Sequence, residues 1–457
     1  MAEHCGYIVK VEHIRPHSNA DRLQIATFFG NDTIVDLKVK EGDIGVYFPS
    51  DIQLSEEFCN VNDLVRRKDE NGNQCGGYLE PGKRNVRVIK LRGEKSDGMY
   101  LPLTSLANFT AISELHIGDK IDILNGVEIC RKYIPMTNYV RYHGKGGKVA
   151  KKNIAPTFYQ HIETEQLAYN LGKFHAGDVV ELTLKMHGTS SRVGYVPVVK
   201  QCKQNWLQKL MRRPVKEYTE YGYVVGTRRV VLGEIGTHRQ SNGFYESDDW
   251  RYAMAHKVEG KLNKGEIIYG EIVGFQGHDG QPIMASASNK KMDKDFIRQY
   301  GDETVFSYGC DLHGTYEWQY DEETIGAPSI DIAPCCEFYA YRMVMVNEDG
   351  DMIEYSPDQM RYRCEQMGVK CVPLFERFII PEDVDAGEYV VRKVEKYFDG
   401  PDPVGKTHVR EGVVARIVSA PNVEVYKHKN FNFKLLTGIA KENADVEHMT
   451  EDMIEEL

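Results

Sequence analysis

The chain has 457 residues, 41% hydrophobic and 27% charged, which predicts a soluble globular protein of two or three domains and excludes a largely disordered polymer. No apolar run reaches the roughly 18 residues of a membrane span, and the start, "MAEHCGYIVKVEHIR", lacks the apolar core of a signal peptide. A net charge of −11 argues against coating nucleic acid by bulk charge, yet leaves room for a local basic groove.

In chain order, short strand-like runs come first: "YIVKVEHIRP", "LQIATFF", "TIVDLKV", "IGVYFPSDI", "VRVIKLRG" and "GMYLPL", parted by Gly- and Asn-rich turns. Their spacing predicts a small closed β-barrel over residues 1–140. Residues 141–155, Gly- and Lys-rich, read as a basic linker. "TFYQHIETEQLAYNLGK" (157–173) has a helical period and predicts a helix. Longer strand-like runs follow at 179–185, 192–199, 223–232, 266–275, 336–346 and 411–418, so residues 156–457 read as an α+β domain. Runs rich in Lys and Arg and free of acid occur at 83–92, 141–152 and 200–216, while 442–457 is acidic. Each basic run reads equally well as a solvated loop; three on an acidic protein make an anionic polymer partner the expectation. Ten cysteines without a CxxC pair predict a reduced, intracellular protein, cytoplasmic or nuclear, with monomer as the default state.

Within "ELTLKMHGTSSRVGYV" (181–196), Val180, Leu182 and Leu184 share one strand face and Lys185 lies on the other with Glu181 and Thr183. Gly188 then relaxes the backbone at a turn. Alone, Lys185 is a surface charge as readily as a nucleophile. Further along come Arg228, Glu271 in an apolar strand, the aromatics Phe338, Tyr339 and Tyr341, then Glu411 before a Gly, and Lys427, Lys429 and Lys434. Taken singly, each has an ordinary reading: a buried ion pair, a core aromatic or a solvated lysine. Their order is the signal.

That order resembles the covalent nucleotidyltransferase superfamily of ATP-dependent ligases and capping enzymes. Lys185-Met186-His187-Gly188-Thr189-Ser190 is similar to the nucleophile motif, and Arg228 to the next motif's arginine. Tyr269-Gly270-Glu271-Ile272-Val273 is similar to the central acidic motif, Tyr341 to the base-stacking aromatic, Glu411-Gly412-Val413-Val414 to the second acidic motif and Lys427-His428-Lys429 to the final lysine pair. Lys-x-His-Gly-Thr is closer to RNA ligases of the second phage type than to DNA ligases, which usually carry Asp where His187 stands. "PHSNADRLQIATF" resembles the OB-type module of tRNA-binding proteins and that of Deinococcus-type RNA ligases. DNA ligases and capping enzymes place their OB fold after the last lysine motif, where about 20 residues remain here.

The resemblance therefore implies a Deinococcus-type, ATP-dependent RNA ligase: an OB-fold module (1–140), then a nucleotidyltransferase domain (156–457) of ATP-grasp-like, antiparallel α+β architecture. Lys185 would be the AMP-carrying nucleophile, with Lys427 and Lys429 assisting catalysis. His187, Gly188, Arg228, Glu271, Tyr341 and Glu411 would bind the nucleotide. Glu411, with Glu271, would hold Mg²⁺ or Mn²⁺. The partner would be RNA with 3′-OH and 5′-phosphate ends, met by Arg22, Lys83, Arg84 and Arg87 and by His17 and Asn19. Two departures stand out: Arg342 follows Tyr341 where the family usually has Asp, and residues 276–334 form an insertion whose stretch 281–301 predicts a loop and helix. A DNA ligase, a GTP-using capping-type transferase and a non-catalytic RNA-binding protein are the rival readings.

Overall fold

The computed structural model describes residues 4–50, 52–134, 154–202, 204, 206, 215–236, 245, 248–276, 280–314, 335–420 and 422–442. The basic run 141–152, most of 203–214, the second half of the insertion and the acidic tail beyond 442 lie outside the described residues. Backbone contacts divide the chain into two compact units. Among the described residues one holds 4–134, 165–170 and 431–442, and the other 154–164 and 171–430.

The first unit is built from short strands: β1 Gly6–Lys10, β2 Ile14–Pro16, β3 Leu23–Phe28, β4 Asn31–Asp36, β5 Ile44–Phe48, β6 Val88–Leu91, β7 Glu94–Asp97, β8 Met99–Pro102 and β9 Lys120–Ile121. β8, β5, β1 and β9 form one sheet in that order; β2, β3 and β4 form a second. Alternation of apolar residues buries Ile8, Val46 and Phe48 on one side and Tyr7, Val9 and Tyr47 on the other, each side with its own cluster. Side chains link β4 to β7: Thr33 Oγ1 donates to Asp97 O (3.1 Å) and Ile34 N–H donates to Ser96 Oγ (3.0 Å). No backbone ladder closes a barrel among the described residues. The helix Phe431–Glu442 belongs to this unit, with Phe433 and Leu436 buried and Lys434 paired to Asp97.

In the second unit two antiparallel sheets carry the motifs. β10 (Val179–Lys185), β17 (Leu374–Ile379), β18 (Gly412–Ile417) and β19 (Glu424–Lys429) lie in the order β19-β18-β10-β17. The other sheet runs β13-β12-β11-β14-β15-β16. Its strands are β11 (Thr189–Gln201), β12 (Glu217–Gly226), β13 (Val231–Glu234), β14 (Glu266–Gly274), β15 (Cys336–Val346) and β16 (Met352–Glu354). Long β-branched stretches make these strands, and where both faces are covered the alternation gives way to continuous burial, as in β14 and β15. The helix Pro357–Met367 starts at Ser356, whose side chain caps Gln359 N–H in a reciprocal capping box, and stops at left-handed Gly368.

The β10 pattern holds on its apolar side: Val180, Leu182 and Leu184 are buried. Glu181, on the other face, is buried as well, held by Arg361 (2.7 and 3.1 Å) and Arg377 (3.4 Å). Glu181→Ala removes one of the two carboxylates that Arg361 and Arg377 share, and leaves Asp358 at 2.7 Å from both. The loss of the buried charged hydrogen bonds is expected to cost about 2 kcal/mol of stability, measurable by urea titration.

The helix expected over 157–173 does not form. The chain turns at Pro156 and Thr157, has no regular structure to Thr164, and then makes short 3₁₀ turns at Leu167–Tyr169 and Leu171–Lys173. Tertiary anchors override the local period. Phe158 is buried among Val196, Val224 and Ile267, and the Tyr159 hydroxyl donates to Gly350 O (2.7 Å). The Tyr159 carbonyl in turn accepts from the Tyr269 hydroxyl (2.9 Å). Tyr169 stacks on Tyr7 within the first unit. The stretch 281–301 does hold a helix, Lys294–Tyr300, capped by Asp293.

Candidate active site

Strand register brings the distant motifs into one row. Lys185 on β10 lies opposite Gly412 on β18, which lies opposite Lys429 on β19. Thr183, Val414 and Lys427 form the next row on the same face. A Cβ at residue 412 would stand 2.1 Å from His428 O, so only glycine lets β19 approach β18 here. Glu411, just ahead of the strand, reaches both ammonium groups: its Oε1 is 2.9 Å from Lys185 Nζ and 3.1 Å from Lys429 Nζ.

Glu411 is 2% exposed. Burial raises its proton affinity, but Lys185, Lys429 and His187 outweigh it and bring its pKa down to about 2. The carboxylate is therefore charged at any working pH. Its second oxygen, Oε2, is buried with no hydrogen-bond partner and lies 3.8 Å from His187 Nδ1. Burial lowers the His187 pKa to about 3; Glu411 opposes that shift and Lys429, Lys185 and His408 add to it, so the imidazole is neutral at pH 7.

The turn after Lys185 is pinned through its backbone. His187 N–H donates to Tyr308 Oη (2.6 Å) and Gly188 N–H donates to Glu271 Oε1 (3.2 Å). Gly188 is needed for a reason other than the backbone freedom expected from the sequence. Its φ is not left-handed; instead a Cβ would stand 2.3 Å from Ile272 O of β14. Close approach of the turn to the central acidic strand demands glycine, and that approach carries the amide to Glu271.

Lys427 lies one row from the ion pair. Burial, then Lys429 and Lys185, bring its pKa down to about 7, with Glu163 opposing and Arg228 adding to the shift. Arg228, on the turn after β12, is thus placed where its charge acts on Lys427 and on His161. Between pH 7 and about 10.4 the unfolded chain holds a proton on Lys427 that the folded chain has lost, so stability rises with pH across that window. Lys427→Met is expected to raise the melting temperature at pH 7 by a few degrees, to flatten its rise towards pH 9, and to weaken phosphate handling. Thermal melts at the two pH values check the first two effects.

The aromatic motif sits at a β-bulge. Tyr269 pairs with Arg342 and Gly270 with Ala340, so Tyr341 is the extra residue. The bulge turns Tyr341 towards the face that carries Tyr269, where its ring packs on His161 (4.8 Å). Arg342, the departure from the family pattern, pairs with Glu354 (2.9 and 3.2 Å) and covers the Tyr269 ring. Phe338 lies beneath Gly270 on the opposite face, whereas Tyr339 lies across from Glu271.

Sequence reasoning missed His161, Phe306, Tyr308 and His408. Phe306 meets the His187 ring edge-on at 4.7 Å, and His408 packs on Tyr308 at 4.5 Å. His161 lies in the stretch whose period predicts a helix, and Phe306 and Tyr308 lie in the long gap after Glu271, so no local signal marked them as site residues. Arg22, Lys83, Arg84 and Arg87 belong to the other unit. Arg22 is exposed, while Arg84 is tied to Leu54 O and Pro81 O. His17 and Asn19 brace the β6–β7 hairpin through Leu91 O (3.2 Å) and Arg92 O (3.0 Å). Among the described residues no helix is long and apolar enough to cross a membrane.

Two lysines meet one buried carboxylate, and a second acid holds the turn that follows Lys185, an arrangement suited to phosphorus chemistry. The sequence model of the RNA ligase family matches residues 178–435, more than half of the chain, and the chain belongs to that family. Among solved structures it is similar to Naegleria gruberi RNA ligase. A lysine-to-methionine variant of that protein with AMP and Mn is 16% identical with TM-score 0.53, covering 94% of this chain and 98% of that one. An apo aspartate-to-alanine variant is 17% identical with TM-score 0.55, covering 95% and 98%. The complex with PPi is 17% identical with TM-score 0.54, covering 94% and 98%. At this identity the likeness is one of fold. Among curated proteins none matches.

Proposed function

We propose that this RNA ligase uses ATP to join a 3′-OH RNA end to a 5′-phosphate end, in nick or break repair, in the manner of the Deinococcus type. The observation that carries the reading is the row Lys185–Gly412–Lys429 with Glu411 reaching both lysines. In the first step neutral Lys185 attacks the α-phosphorus of ATP; a P–N bond forms, the bond to the leaving oxygen breaks and pyrophosphate departs. AMP then passes from Lys185 to the 5′-phosphate of RNA. A 3′-OH attacks that activated phosphate, AMP leaves and the strands are joined.

A free lysine, with a pKa of about 10.4, holds little neutral amine at pH 7. Lys427 and Lys429 meet the phosphate charge as it develops. Arg228 grips a phosphate through its planar fork, Glu271 accepts a ribose hydroxyl, and Tyr341, or Tyr339, stacks on the base. Gly188 and neutral His187 line the nucleotide beside Lys185. The donor set fits a hard divalent ion: Glu411 Oε2 is buried without a hydrogen-bond partner, and Mg²⁺ prefers few protein carboxylates with water and phosphate oxygens filling the rest. Glu411, with Glu271, would hold Mg²⁺ or Mn²⁺, which would neutralise phosphate charge.

For the first unit we infer an OB-type module that holds RNA, with Arg22, Lys83 and Arg87 as contacts and Arg84 bracing their loop. The neighbour relations β4-β3-β2 and β1-β5-β8, with β7 bonded to β4 by side chains, support a Greek-key barrel of that type. The chain acts as a cytoplasmic monomer. Sealing of nicked duplexes with RNA or with DNA on the 3′-OH side tests the substrate. Preference for the RNA nick supports the reading; equal or better sealing of the DNA nick makes the chain a DNA ligase.

A further inference from the structure

We propose that Tyr308, carried by the insertion, is a positioning residue for the nucleophile turn. The role rests on reading Lys185 as the nucleophile. Tyr308 is 3% exposed, and its hydroxyl accepts the His187 N–H at 2.6 Å, two residues beyond Lys185. Glu271 holds the next amide, Gly188 N–H. The turn is therefore fixed from two sides, by the central acidic strand and by the insertion.

The insertion is built to deliver this contact. Asn289, fully buried, donates to Gly301 O (2.8 Å) and accepts from Thr304 Oγ1 (2.9 Å), which ties the two ends of the helix Lys294–Tyr300 together. The chain then reaches Phe306 and Tyr308 within four residues. Tyr308 has φ +50, a left-handed conformation that a bulky residue adopts only where its surroundings enforce it. Phe306 and Tyr308 form a wedge. On one side Phe306 meets the His187 ring (4.7 Å). On the other both rings pack on His408 (5.3 and 4.5 Å), which is fully buried. His408 stands three residues before Glu411. The wedge thus spans from the turn that follows Lys185 to the loop that leads into Glu411. It sets the spacing of the two groups whose atoms must meet at 2.9 Å.

Tyr308→Phe tests this, because it removes the acceptor and keeps the ring against His408. Single-turnover formation of lysyl-AMP is measured over a range of ATP concentrations, beside sealing of RNA already adenylylated at its 5′ end. The second reaction needs a folded site but no attack by Lys185. The maximal rate of lysyl-AMP formation is expected to fall about 10- to 100-fold, as a small displacement of a nucleophile costs. Half-saturating ATP and the sealing rate should stay within about threefold. Phe306→Leu, which keeps the hydroxyl and loosens the wedge, is expected to show the same split with a smaller loss. Equal losses in both reactions would make Tyr308 merely structural and overturn the proposal, as would an unchanged rate of lysyl-AMP formation. If the unmutated chain forms no adduct with ATP, the nucleophile reading fails instead.

Discussion

Lys185→Ala is expected to abolish the covalent AMP adduct while the chain still folds. Loss of the attacking amine lowers adduct formation by at least about 10³-fold, since no other group supplies the bond to phosphorus. The fold survives for a specific reason. Glu411 is buried, and removing one cation from it would be costly if none remained. Lys429 remains, 3.1 Å from the same oxygen. A labelled-nucleotide gel and a thermal melt read the two effects separately. A variant that still carries label would remove Lys185 from its role.

Glu411→Gln is expected to lower lysyl-AMP formation by about 10²–10³-fold, the cost of losing one preorganised charge at a reacting centre. The carboxylate holds Lys185 and Lys429 on one oxygen, and its other oxygen is buried without a hydrogen-bond partner. The amide keeps the shape and loses the charge. A stability effect goes with it. The folded pKa of about 2 lies below the ordinary carboxylate value, so the unfolded chain binds the proton more readily. Glu411 therefore adds stability above about pH 4.5, and this is lost as pH falls towards 2; it amounts to on the order of 3 kcal/mol. The glutamine variant should melt lower at pH 7 and lose that part of the acid sensitivity. Melting curves at pH 7 and pH 3 decide it.

Much of the site was legible because strand register is a rule of arithmetic. Lys185 and the lysine pair lie on strands whose pattern marks their faces, Glu411 stands just ahead of one, and side chains directly opposite in an antiparallel sheet share a face. The order of motifs then named the partners. Gly188 was read correctly as necessary and for the wrong reason, since a close approach between segments about 80 residues apart leaves no local trace. The helix expected over 157–173 fails likewise: Phe158 and Tyr159 are anchored by residues from three strands and a loop far away in sequence, and the period there reflects burial and not a helix. Tyr341 gained its place from a bulge, which shifts the face of a residue without changing the apolar pattern. Residues 276–334 read as extra length, but the contact of Tyr308 with His187 runs through a hydroxyl and a backbone amide. Nothing in the spacing of Phe306 and Tyr308 predicts that.

The proposed role of Lys185 is to take AMP from ATP. Incubating the unmutated chain with a divalent ion and α-labelled ATP, or with α-labelled GTP, and mapping the labelled peptide tests it most directly. Label is expected from ATP alone, carried by the peptide that contains Lys185. Label from GTP in preference to ATP, label on another lysine, or no covalent label at all would contradict it.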